Sequence, residues 1–230
     1  MPEPSDDRPV KDLAVAVAVA HHELRQLLDV AEDDRELHDR RREFDAFVVA
    51  MCEHLGAVEQ VLHPAVRRHL PDTDVEAGAS CHRELQRRMR EVEQIVWGDA
   101  RVEPSHLAQL RDELGEGLVE HAAYDEPLAG RLDQALDPAG RLRLVGAFTQ
   151  AALRGPTRPH PYAPHTGPLV RPVRWLAARW DEALDVMDVR TVAGRRPPRR
   201  TRPVGLWGGY VLGRPPTSVQ RRDGQDSTRS

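Results

Sequence analysis

Residues 43–64, EFDAFVVAMCEHLGAVEQVLHP, carry the reading on which the fold depends. Phe44, Phe47, Val48, Met51, Leu55, Val58 and Leu62 recur three and four residues apart, the period of one helix face rather than the alternation of a strand. His54 stands on the same stripe. An imidazole buried there without a partner would cost about 1–3 kcal/mol, so its presence asks for an explanation.

The rhythm continues on both sides. A first helix is expected over residues 11–31, with Val17, His21, Leu24 and Leu28 on one face. The second runs over 35–70 and ends at Pro71, Asp72 and Gly78. A third covers 79–97, with His82, Leu85, Met89 and Val92 in register, and Gly98, Asp99 and Pro104 come after it. A fourth covers 105–136 through Leu107, Leu110, Leu114, Leu118, His121 and Leu128. Short connections between long amphipathic helices predict an all-α, up-down-up-down four-helix bundle over 11–136. A helical extension is expected over 137–189: a helix at 138–153, a proline-studded loop at 155–168 and a last helix at 170–189. Residues 1–10 and the Arg/Pro/Gly-rich tail 190–230 read as disordered.

Composition agrees with helices. Aromatic residues make up only 4% of the 230, which disfavours a sandwich or barrel, and Ala, Leu, Arg and Glu are strong helix formers. Two cysteines with no CxxC spacing are no disulfide framework and predict a reducing, cytoplasmic setting. The apolar run 13–20 is too short to span a bilayer and lacks the basic start of a signal peptide, so no membrane partner is expected. The net charge of -4 divides unevenly: residues 189–230 carry ten Arg against Asp223 and Asp226, leaving an acidic body and a basic tail. Without a recognisable nucleic-acid module, that tail reads as a solvated extension rather than a nucleic-acid contact.

Each of the four helices places one histidine on its apolar stripe: His21, His54, His82 and His121. His22 is turned about 100° from His21, so His21 is the inward one. In an up-down bundle these four fall near one level. Asp125, four residues after His121, lies about 40° from it and points at the same place. Glu126 after His121, and Glu59 after His54, stand at +5, about 140° away; they need a long side chain or a distorted helix to reach. Imidazoles and carboxylates together suit iron, manganese or zinc, so His21, His54, Glu59, His82, His121, Asp125 and Glu126 are the candidate metal ligands.

These motifs resemble the hemerythrin family, in its bacterial HHE cation-binding branch. The resemblance rests on AHHEL around His21, EHLGAVEQVLHP over 53–64, SCHREL around His82 and EHAAYDEP over 120–127, with PTRPHPYAP at 156–164 similar to a segment found after the bundle. It implies a non-haem di-iron centre that binds or processes oxygen, peroxide or nitric oxide, or senses them. It also implies that His21, His54, His82 and His121 are terminal ligands, with Glu126 and Asp125 supplying carboxylate. One position departs: Val58 stands where the family places a bridging glutamate, leaving Glu59 as the helix-two acid and His63 as a distant substitute. Gln86 stands where oxygen carriers place a second helix-three histidine. Weaker or asymmetric iron binding is the expectation.

Other patterns carry less. Glu103 and His106 are the one Glu-x-x-His pair and read as a helix start, not a ferritin-like site. Cys52 and Cys81 diverge from His54 and His82 by about 200° and 100°, which disfavours tetrahedral zinc. His38, His69, His160 and His165 read as surface or loop residues. A catalase- or peroxidase-like activity is compatible with the pattern but no separate acid/base pair announces it. The competing expectation is a metal-free bundle serving as a regulatory or interaction module, with the basic tail as contact arm and an unknown protein partner.

Overall fold

The computed structural model describes residues 11–30, 37–97 and 104–188. Its regular elements are all helical: α1 (Leu13–Val30), α2 (Leu37–Ala57), a π-helical turn (Val58–Leu62), α3 (His63–His69), α4 (Glu76–Trp97), α5 (Pro104–Ala135), α6 (Pro138–Leu153) and α7 (Val170–Asp188). The expected second helix is therefore one rod broken in register by the π turn. The expectations for residues 1–10 and 190–230 lie outside the described residues. Among the described residues, no helix is long and apolar enough to cross a membrane.

Local chemistry accounts for several ends. The backbone N–H groups of Leu13 and Ala14, in the first turn of α1, donate to the two carboxylate oxygens of Asp133 on α5 at 3.1 and 2.8 Å. A helix start leaves such donors unpaired and favours negative charge, so one aspartate both caps α1 and ties it to α5. At α6, Asp137 accepts from Gly140 N–H at 2.6 Å and Pro138 stands next to it, a first position where a missing N–H costs nothing.

Helix α1 packs against α2 and α5, and α4 packs against α2 and α5, so these four helices close a ring; α6 lies across α1, α2 and the π turn, and α7 reaches the π turn. The core falls into two parts. One holds Leu24, Leu28, Phe44, Phe47, Met51, Leu55, Leu85, Met89, Leu114 and Leu118. The other holds Leu13, Val17, Val58, Leu62, Leu128, Leu132 and Phe148. On α1, His21 stands between Val17 of one cluster and Leu24 of the other; on α5, His121 and Asp125 stand between Leu118 and Leu128. The ring is thus apolar above and below a belt of buried polar residues.

Helix α7 is turned against the usual sense. Arg174, Ala178, Asp181 and Asp185 face inward, whereas Trp175, Leu176 and Trp180 are each more than 60% exposed. Among the described residues, the inward face of this helix is mainly polar, and polar pairing seats it.

Candidate metal centre

The belt contains two groups of side chains able to hold a cation. His21, His54 and His121 form one; His63, His82 and Asp125 form the other, and all six residues are buried. The groups adjoin, with the rings of His82 and His121 4.9 Å apart and Asp125 Oδ2 lying 3.4 Å from His121 Nδ1 and 3.7 Å from His82 Nε2.

In the first group the Nε2 atoms converge. His54 Nε2 lies 3.0 Å from His21 Nε2 and 3.0 Å from His121 Nε2. Protons alone do not satisfy this arrangement. His21 donates from Nδ1 to Glu126 Oε1 at 2.9 Å, so in a neutral ring its Nε2 carries a lone pair. A single N–H on His54 can serve one neighbour, not both. Three imidazoles bound to one cation at about 2.1 Å and at right angles would bring their nitrogens about 3.0 Å apart, the spacing that His54 Nε2 keeps to each of the other two. Burial lowers the imidazole of His54 to about 3 and holds that of His121 well below its ordinary value. Burial also lowers His21, against the pull of Glu126. The trio is therefore neutral, the form in which histidine binds metal.

The second group is left without hydrogen bonds. Both nitrogens of His63, both of His82 and both oxygens of Asp125 are buried and unpaired. His63 and His82 stack with their rings 5.1 Å apart and 7° from parallel. Their Nε2 atoms each stand 3.7 Å from an oxygen of Asp125, too long for a hydrogen bond. For His82, burial opposes a charge, but Asp125 and Glu59 outweigh it and push the imidazole up to about 9. Burial would raise Asp125, yet His121, His63 and His82 hold its carboxyl well below the usual range. An ionised carboxylate between imidazoles, with every donor atom unsatisfied, fits a divalent cation.

The π turn explains why His63 belongs here. Nine residues beyond His54, it would sit about 180° away on an unbroken α-helix. The His63 N–H instead reaches back five residues to Val58 O. One extra residue in the turn rotates every later position by about 100°, so His63 returns to the inward face. Glu59 lies inside the turn, where the unwinding carries it part of the way from about 140° toward the His54 face, the kind of local distortion that the +5 spacing requires. On a continuous helix His63 falls on the far face, so its spacing alone marks it as no more than a distant substitute. The signal was present as a +5 acid and a +9 histidine, both out of phase by one residue.

Glu59 is buried but lies outside both groups. Its Oε1 accepts from His165 Nδ1 at 2.6 Å; its Oε2 accepts from Arg174 Nε at 2.7 Å and Arg174 Nη2 at 2.5 Å. Oε1 also faces His82 Nδ1 at 3.5 Å. Burial would raise Glu59, but Arg174 first, then His165 and His82, hold its carboxyl far below the ordinary range. His165 is a loop residue as expected, but it is buried rather than exposed. Glu126 is 41% exposed and orients His21 through Nδ1.

The remaining residues brace the belt. Gln86 accepts from His160 N–H at 3.0 Å, tying α4 to the proline loop. Asp181 accepts from the Thr157 and Arg158 N–H groups and pairs with His160 Nε2, while Asp185 takes the Thr157 hydroxyl and Arg158. Tyr124, on the residue before Asp125, donates to Asp74 O. Burial pushes the Cys81 thiol up to about 12, so it supplies no thiolate at neutral pH. Comparison with protein-family models, curated proteins and solved structures finds no match.

Proposed function

We propose that this chain is a hemerythrin-like, non-haem iron protein that binds or processes oxygen, peroxide or nitric oxide, or senses them. One iron would rest on His21, His54 and His121, and a second on His63, His82 and Asp125. The observation that carries this reading is the pair of adjoining buried groups, one with Nε2 atoms 3.0 Å apart and the other with all its polar atoms unpaired. Closure of α1, α2, α4 and α5 into a ring supports an up-down-up-down bundle of the hemerythrin kind. Each group offers three protein donors, which leaves positions open for a small ligand. Bound iron would supply the electrons that oxygen chemistry needs; the protein's part is to hold the imidazoles of His21, His54 and His121 neutral, to set the Asp125 carboxylate against His63 and His82, and to keep the belt between two apolar layers. Cys52 and Cys81, which are not joined in a disulfide, accord with a reducing, cytoplasmic setting.

The donor sets differ, three imidazoles against two imidazoles and a carboxylate, so unequal affinities are expected. Elemental analysis of protein produced with iron, together with an optical spectrum taken anaerobically and then with oxygen, azide or nitric oxide, tests the proposal. Two irons per chain and a ligand-dependent absorption support it. An iron-free chain whose melting temperature ignores ferrous ion overturns it. Oxygen release from hydrogen peroxide distinguishes turnover from binding.

A second reading draws on one feature. The outward Trp175, Leu176 and Trp180 of α7 suit a contact surface, as a metal-free interaction module would need.

A further inference from the structure

Unlike Asp125, the buried Glu59 already has its partners. Both of its oxygens are occupied by the C-terminal extension, Oε1 by His165 of the proline loop and Oε2 by Arg174 of α7. Arg174 is itself 1% exposed, and a guanidinium so deeply buried is stabilised only by a paired charge. The remaining approach of Glu59 is toward His82 Nδ1 at 3.5 Å, on the side of that ring away from Asp125. His82 Nδ1 has no hydrogen-bond partner of its own.

We infer that Arg174 and His165 hold Glu59 off the metal, so that Glu59 acts on the second cation only through His82. A carboxylate facing one nitrogen of a metal-binding imidazole sets which nitrogen carries the proton, fixes the ring plane and makes the other nitrogen a better donor. Glu59 is then a positioning residue rather than a ligand, and the loop and α7 are working parts of the metal centre rather than an appendage. The second cation is left with His63, His82 and Asp125, and so keeps a position free that a bridging glutamate would occupy. This rests on the reading of the belt as a metal site.

The test uses the full-length chain and ferrous ion, with iron per chain and the affinity of each ion measured by anaerobic titration. Glu59→Gln is expected to keep the full iron content at saturation while weakening the second ion by about 10- to 100-fold, the usual effect of removing such an outer partner. Arg174→Met, which releases Glu59, should shift the affinity of the same ion in the same range, and Arg174→Lys should restore most of the wild-type value. In a Glu59→Gln background, Arg174→Met should add little, because the two act through one path. If Glu59→Gln loses one iron at saturation, Glu59 is a ligand and the inference is overturned while the metal reading stands. If Arg174→Met leaves both affinities unchanged, the proposed brace has no bearing on the metal and the inference fails. If the wild type takes up no iron, the reading beneath the inference falls and takes it along.

Discussion

At the scale of single residues, the chemistry is set by which imidazole nitrogen faces which neighbour. His21 is aimed by Glu126, which leaves its Nε2 lone pair toward His54 and His121. His121→Ala should therefore lower iron content and cancel most of the gain in melting temperature that ferrous ion brings to the wild type. That gain arises because a cation bound to the folded chain stabilises it by about 2.7 kcal/mol at one hundred times its dissociation constant. Thermal melts with ferrous ion and with chelator check this. Equal gains in wild type and variant would remove His121 from the ligand set. A second consequence concerns acid. Glu59 is held below its ordinary value of 4.5, so its contribution to stability is complete above that value and is lost as the pH falls toward the depressed one. Urea midpoints of the chelated chain between about pH 5 and pH 2 should fall more steeply for the wild type than for Glu59→Gln. Parallel slopes would show that Glu59 gains nothing from its pairing.

At the scale of elements, the π turn decides the site. The turn over Val58–Leu62 takes one residue more than an α-helical turn, with the His63 N–H reaching back five residues instead of four. Deleting Val58 should let α2 and α3 run on as one α-helix with Glu59 and His63 still facing inward. Iron content should be retained, at a stability cost on the order of 1–3 kcal/mol for the lost buried side chain. Inserting an alanine after Leu62 should instead turn His63 away and remove the second iron. Circular dichroism, to show that helix remains, and iron analysis together separate these outcomes. The same turn shows how far sequence reasoning reached here. The stripe of Phe44, Phe47, Met51 and Leu55 is plain in the sequence, whereas a single-residue phase change costs no recognisable motif and is settled by packing against α6 and α7.

At the scale of the whole molecule, α7 is held by charge. Its inward Arg174, Asp181 and Asp185 pair with Glu59, the proline loop and His160, and its tryptophans remain outside. Arg174→Met should cost about 3–5 kcal/mol in the metal-free chain, the range for leaving a buried charge without its partner. Trp175→Gln and Trp180→Gln should change stability by no more than about 0.5 kcal/mol, as surface substitutions do. Chemical denaturation of the three variants checks both statements. A large loss from either tryptophan variant would mean that α7 presents its other face.

Helical period, histidines on four apolar stripes and an acid at +4 are properties of a chain read residue by residue. They determined an all-α protein and the nomination of His21, His54, His82, His121 and Asp125. Three matters were decided only in three dimensions: the inward turn of His63, the capture of Glu59 by Arg174 and His165, and the outward face of α7. Each depends on contacts between residues far apart in the chain; Glu59 and Arg174 are separated by 115 positions. Local spacing constrains an angle about a helix axis. Which partner waits at that angle, and whether the helix bends its register to meet it, is fixed by the free energy of packing charged and apolar surfaces together.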